Sequence, residues 1–101
     1  MKMFTNSEQT AKLIELGFEK PKSIVREYYD FDAVDMEKAY SIGELISFLP
    51  DEGVSDRRLE FDGFHWIVDW DSFDKIHQTM QVELVDALYA MILRLKEEGV
   101  I

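Results

Sequence analysis

The chain has 101 residues, a formal charge of −10, an apolar fraction of 47% and no cysteine. That size and composition support one folded domain with a buried core, and exclude disorder, a disulfide framework and thiol chemistry. Fourteen acidic against three basic side chains between residues 27 and 74 are the reverse of the basic surface that direct nucleic-acid binding requires. A protein partner, basic if electrostatics select it, is the better fit. The opening MKMFTNSEQT has no apolar h-region. The longest apolar run, Ala87 to Leu93, is too short for a bilayer. The expectation is a cytoplasmic protein with no membrane association.

The first element is a short helix. Thr5 with Glu8 has capping-box form, and Asn6 with Gln9 offers an alternative start one residue later. Leu13, Ile14 and Leu16 supply its buried side, Gly17 is placed as the residue that ends it, and Pro21 prevents continuation. Ile24 to Phe31 is rich in β-branched and aromatic residues and reads as a strand. Acidic Asp32 to Lys38 reads as a loop. Ser41 with Glu44 opens a second helix whose apolar residues are Ile42, Leu45, Ile46 and Leu49, and Pro50 closes it.

The clearest signal follows at RRLEFDGFHWIVDW, residues 57–70. Asp-Gly between alternating apolar residues predicts an antiparallel hairpin. With Asp62 and Gly63 as the two turn residues, Phe61 faces Phe64, Glu60 faces His65 and Leu59 faces Trp66. Leu59, Phe61, Phe64 and Trp66 then share one face. After a connection at Asp71 to Lys75, a long helix is predicted from about Met80 to Glu98, ended by Gly99. On it Glu83, Asp86, Ala87, Ala90, Arg94 and Glu97 form a narrow polar stripe, and apolar residues occupy the rest. So wide an apolar arc needs cover from the other helices or from a second copy of the chain. Tyr89 and Leu93, on the edges of the arc, are the candidate protein-binding residues. The expected fold is α+β: a small antiparallel sheet of about three strands packed against helices, with the 57–70 hairpin central and the Ile24 to Phe31 strand at either edge.

No motif carries recognisable chemistry. Asp69, Asp71 and Asp74 have part of a calcium-loop spacing, but Phe73, Asp74 and Met80 stand where a third ligand, a glycine and a bidentate glutamate are required. His65 and His77 lack the i, i+4 spacing of a zinc pair; His65 is expected to pair with Glu60 across the hairpin, and His77 to lie on the surface. The five glycines form no phosphate-binding loop. Arg57 and Arg58 read as edge-strand charge that opposes aggregation. No catalytic residue, metal ligand or cofactor is therefore expected.

The segments SEQTAKLIELGFEKP, AYSIGELISFLP and LVDALYAMILRLKEEGVI, in that order, resemble small proteins encoded by prophages and mobile elements of Bacteroides and related gut bacteria. The similar positions are capping and core residues, so the resemblance implies an architecture and a mobile-element context, and no site residue. Three functions are carried from the sequence. The first is a non-catalytic accessory protein that binds another protein. The second is an acidic nucleic-acid mimic that blocks a DNA-binding host protein. The third is a small enzyme using Glu60 and His65, or the Asp69 to Asp74 cluster.

Overall fold

The computed structural model describes residues 1–29, 32–72 and 75–101, with the side chains of residues 24–37 left aside. Its element order is α1 (Ser7–Glu15), β1 (Ser23–Tyr29), β2 (Asp32–Ala39), α2 (Ile42–Ser47), β3 (Val54–Phe61), β4 (Trp66–Ser72), β5 (Gln78–Gln81) and α3 (Leu84–Glu97). The fold is α+β. A three-stranded antiparallel sheet in the order β3-β4-β5 is covered by α3, and β1 and β2 form a separate two-stranded antiparallel sheet.

The helix ends follow from local chemistry. At α1 the Asn6 side chain accepts from the Gln9 N–H at 2.8 Å and the Gln9 side chain accepts from the Asn6 N–H at 3.0 Å. The alternative start is thus the one used. Thr5 is instead buried, its hydroxyl 2.7 Å from that of Thr10 and accepting from the Tyr40 N–H at 3.0 Å. Gly17, at φ +95°, lets the Phe18 N–H reach back to the Leu13 carbonyl at 3.1 Å, a Schellman closure that a Cβ would oppose. Of the three expected apolar contacts, Leu13 is fully buried and Leu16 half-buried, whereas Ile14 is exposed. At α2, Ser41 and Glu44 form the expected reciprocal cap. Glu44 also accepts from the Lys22 N–H at 3.0 Å and from the Ser23 hydroxyl, which ties the start of β1 to α2.

Four strand expectations are corrected. Residues 32–38, read as a loop, belong to β2, which pairs with β1; the acidic composition hid a strand. The Ile24 to Phe31 strand is present as Ser23–Tyr29, while Asp30 and Phe31 lie outside the described residues. It joins neither edge of the larger sheet. The third strand there is β5, a four-residue segment whose Met80 and Gln81 were expected in the last helix. The expected connection at Asp71 to Lys75 likewise gives way to strand as far as Ser72.

The hairpin register differs from the expected one. Phe61 pairs with Trp66, Glu60 with Ile67 and Leu59 with Val68. The turn therefore centres on Gly63 and Phe64, with Gly63 at φ +103° and the Asp62 N–H donating to the His65 carbonyl at 3.1 Å. The Asp62 carboxylate accepts from the Phe64 and His65 N–H groups at 2.8 and 2.7 Å. A glycine first in a two-residue turn satisfies the φ > 0 requirement as well as a glycine placed second, and the Asp62 side chain selects the former. Moving the turn by one residue changes each partner by two, so side-chain parity survives: Leu59, Phe61 and Trp66 still share a face, now with Val68 and Trp70. Phe64 leaves that face for the turn.

The core lies between this face and α3. Val68, Trp70, Leu84, Val85, Leu88, Met91, Ile92 and Leu95 are buried together with Leu13, Tyr40, Leu45 and Leu49. The wide apolar arc of α3 is thus covered by β4 and β5 on one side and by α1 and α2 on others. Ala87 does not belong to a solvent-facing stripe; it is buried, and its carbonyl accepts from the Thr79 hydroxyl at 2.7 Å. The N-terminal segment adds a polar clasp. The Lys2 ammonium lies 2.8 Å from Asp86, which also accepts from Gln9 at 2.8 Å.

Candidate interaction surface

α3 packs on β4 and β5 and leaves β3 open. The whole of β3 beyond Val54 is exposed, including the two apolar residues on its core-side face, Leu59 at 40% and Phe61 at 52%. The Phe61 ring lies 5.3 Å from that of Trp66. Beyond them Phe64 is 78% exposed at the turn. Met80, in register with Ile67, is exposed on the opposite face of the sheet, and Val82 lies just past β5, level with the turn end. The turn end and open edge of the sheet therefore carry exposed aromatic and leucine side chains, Phe64, Phe61 and Leu59. Isolated exposed apolar residues are ordinary on any protein, but a grouping of this kind is the usual sign of an interaction site.

The opposite face of the hairpin is polar and internally satisfied. Asp69 is buried, yet one of its oxygens accepts from the Arg58 guanidinium at 2.8 and 2.7 Å and the other accepts from Gln78 at 2.8 Å. Arg58 also lies 2.9 Å from Glu60. Asp69 accounts for most of the upward shift in the Arg58 pKa. Glu60 thus meets Arg58 and not His65, and Ile67 stands opposite it. His65 sits in the turn with Nδ1 4.0 Å from Asp62. The expected Glu60–His65 pair is absent because the register moved.

The aspartate cluster is divided among separate tasks. Asp69 serves Arg58 and Gln78, the Asp71 carboxylate accepts from the His77 N–H at 2.8 Å, and Asp74 lies outside the described residues. Among the described residues no group of acidic and histidine side chains is arranged to hold a metal ion. Nor does any buried side-chain polar atom among them lack a hydrogen-bond partner.

His77, expected on the surface, is 1% exposed. Its Nδ1 lies 3.0 Å from the Trp70 carbonyl and its Nε2 2.5 Å from Glu98, which also pairs with Lys75. β5 carries His77 under the end of α3, and no local signal in the sequence announces that strand.

Tyr89 and Leu93, the two residues proposed from the sequence for protein binding, are half-buried. Burial pushes the Tyr89 hydroxyl pKa up, and the Glu8 carboxylate of α1 adds to it. Leu93 packs at the edge of the core and lines a shallow groove of about 460 Å³ with Lys12, Leu16, Lys96 and Glu97. Both residues sit along the side of α3 that α1 flanks. A further exposed apolar surface, which the sequence did not locate, lies on β3 and the hairpin turn. Periodicity missed it because Phe61 and Trp66 have the alternation of core residues.

Among the described residues no helix is long and apolar enough to cross a membrane. No protein-family model, curated protein or solved structure matches the chain.

Proposed function

We propose that this protein is a non-catalytic binding module that engages another protein through the turn end of its sheet. The observation that carries the reading is the exposure of Phe64 and Val82 at the turn end of the sheet that holds the Phe61–Trp66 pair, since unpaired apolar area at one end of a small domain is what protein recognition uses. The engaged hydrogen bonds of Asp69, Asp71 and His77 support the same reading, because each of these groups has a structural task already. The resemblance to mobile-element proteins supports a host or phage protein as the target, and the acidity of the middle of the chain favours a basic one.

The test is co-purification from host cells with mass-spectrometric identification, comparing the wild type with a Phe64→Ser/Val82→Ser variant. Both side chains are exposed and outside the core, so the variant retains the fold. A partner captured by the wild type and lost with this variant supports the reading. A partner captured equally by both, or a nucleic-acid-binding protein displaced from DNA equally by both, overturns it; the latter result favours the acidic-mimic function.

A further inference from the structure

The open edge of β3 has a hydrogen-bonding and charge pattern that is complementary to itself. The Trp70 N–H donates to the His77 carbonyl at 2.9 Å, so Trp70 turns its backbone toward β5 and away from β3. In an antiparallel ladder the opposite residue, Arg57, then also turns its N–H and C=O away from the shared seam. By the two-residue period, Leu59 and Phe61 do the same. β3 therefore presents the N–H and C=O groups of Arg57, Leu59 and Phe61 along an edge with which no other strand pairs among the described residues. Such an edge is a template for a further strand.

We infer that the strand added there is β3 of a second copy of this chain, paired antiparallel about a two-fold axis at Leu59, so that two three-stranded sheets become one. The inference rests on the reading of the protein as a binding module and names a partner for its open edge. Register decides it. With the axis at Leu59, the outward-facing residues pair as Leu59 with Leu59 and Arg57 with Phe61. On the polar face Arg58 of each copy falls opposite Glu60 of the other. Each arginine already contacts the glutamate of its own strand, so the four side chains alternate in sign around a square. Opposite-charge cross-strand pairs stabilise and like-charge pairs destabilise. On the other face Leu59, exposed in one copy, meets its counterpart, and the exposed Phe61 of each copy lies against Arg57 of the other.

The neighbouring two-fold registers are worse. An axis at Arg58 sets that arginine against its own copy and Asp56 against Glu60. An axis at Arg57 sets Arg57 against itself and pushes the pairing past the β-bulge between Val54 and Asp56, where the strand is no longer regular. The Leu59 register is confined to the regular stretch and leaves as adverse only the two symmetry-related pairs of Asp56 with Asp62, at the rim. The arginine pair on β3 thus opposes disordered edge-to-edge aggregation while admitting one register, and an isologous pair uses up both edges and stops growth.

The experiment is sedimentation velocity on the full chain over a dilution series at about 0.15 M salt, where the mutual repulsion of two acidic chains is screened. A concentration-dependent dimer is expected. Glu60→Arg converts both attractive pairs to repulsive ones at once, and should raise the dimer dissociation constant roughly tenfold or more. Glu60 is exposed, so circular dichroism should show an unchanged fold. The chain has no cysteine, so a Leu59→Cys variant treated with a short bismaleimide should cross-link to a covalent dimer, whereas Phe64→Cys, far from the axis, should not. A wild type that stays monomeric at its highest soluble concentration overturns the inference. So does a dimer that Glu60→Arg leaves intact, or one that cross-links through Cys at 64 in preference to 59. If the wild type is monomeric and the Phe64→Ser/Val82→Ser variant still loses a host partner, the edge pairing fails while the binding-module reading stands.

Discussion

The Nε2 of His77 lies 2.5 Å from a carboxylate oxygen of Glu98, while its Nδ1 lies 3.0 Å from the Trp70 carbonyl. Both ring nitrogens therefore face oxygen atoms of neighbouring groups. The contact fastens the last turn of α3 to the seam of β4 and β5. Replacing His77 with leucine removes the donor that satisfies the buried Trp70 carbonyl and leaves Glu98 with Lys75 alone. Urea unfolding should show a loss of about 1–3 kcal/mol, the usual penalty for a buried polar group deprived of its partner.

The same cluster makes stability depend on acid. The Lys75 ammonium holds the Glu98 carboxyl below the usual carboxylate range; partial burial opposes this, and His77 reinforces it. A carboxylate whose pKa is lower in the folded than in the unfolded chain stabilises the fold above its unfolded value. That contribution is lost as pH falls through the folded value. Glu98→Gln should accordingly be less stable than the wild type at neutral pH, and the difference should shrink as pH falls through that range. Denaturant midpoints measured at successive pH values check it; a constant difference would mean that Glu98 acts through packing alone.

Gly63→Val should destabilise the domain. Gly63 has φ +103° with open space around its missing Cβ, so the cost is backbone strain and not a clash. For a β-branched residue that strain is on the order of 1–3 kcal/mol. Thermal unfolding is the measurement. The turn is also held by the Asp62 carboxylate, whose pKa the His65 and Phe64 N–H groups lower. Asp62→Ala should therefore shift the equilibrium in the same direction.

Leu93→Glu should leave the association state unchanged. Leu93 is half-buried against the core and sits in a groove lined by Lys12 and Lys96, where a carboxylate finds cations. Loss of its apolar contact should cost about 1 kcal/mol, seen as a modest fall in melting temperature. A variant that loses dimer by sedimentation while keeping its circular dichroism spectrum would return the interface to α3.

Features decided by neighbours in sequence were legible in the sequence. Ser41 and Glu44 close their cap within one turn, Gly17 and Gly99 end α1 and α3 at positive φ, and the apolar spacing of the last helix marks its buried residues. The α+β class, a central 57–70 hairpin and a long closing helix follow from such local rules. Asp62-Gly63-Phe64 marked a turn, yet its glycine fits either central position. Only the Asp62 carboxylate, folded back onto two N–H groups, chose between them. β5 has four residues and no alternating apolar pattern, so Gln78 to Gln81 became a strand because β4 and α3 offered a place for it. Its placement buried His77 under α3. The exposed character of Leu59 and Phe61 was hidden for the same reason. Alternation in a sequence shows which side chains share a face, but whether that face is covered depends on where α3 comes to rest, and it rests on β4 and β5.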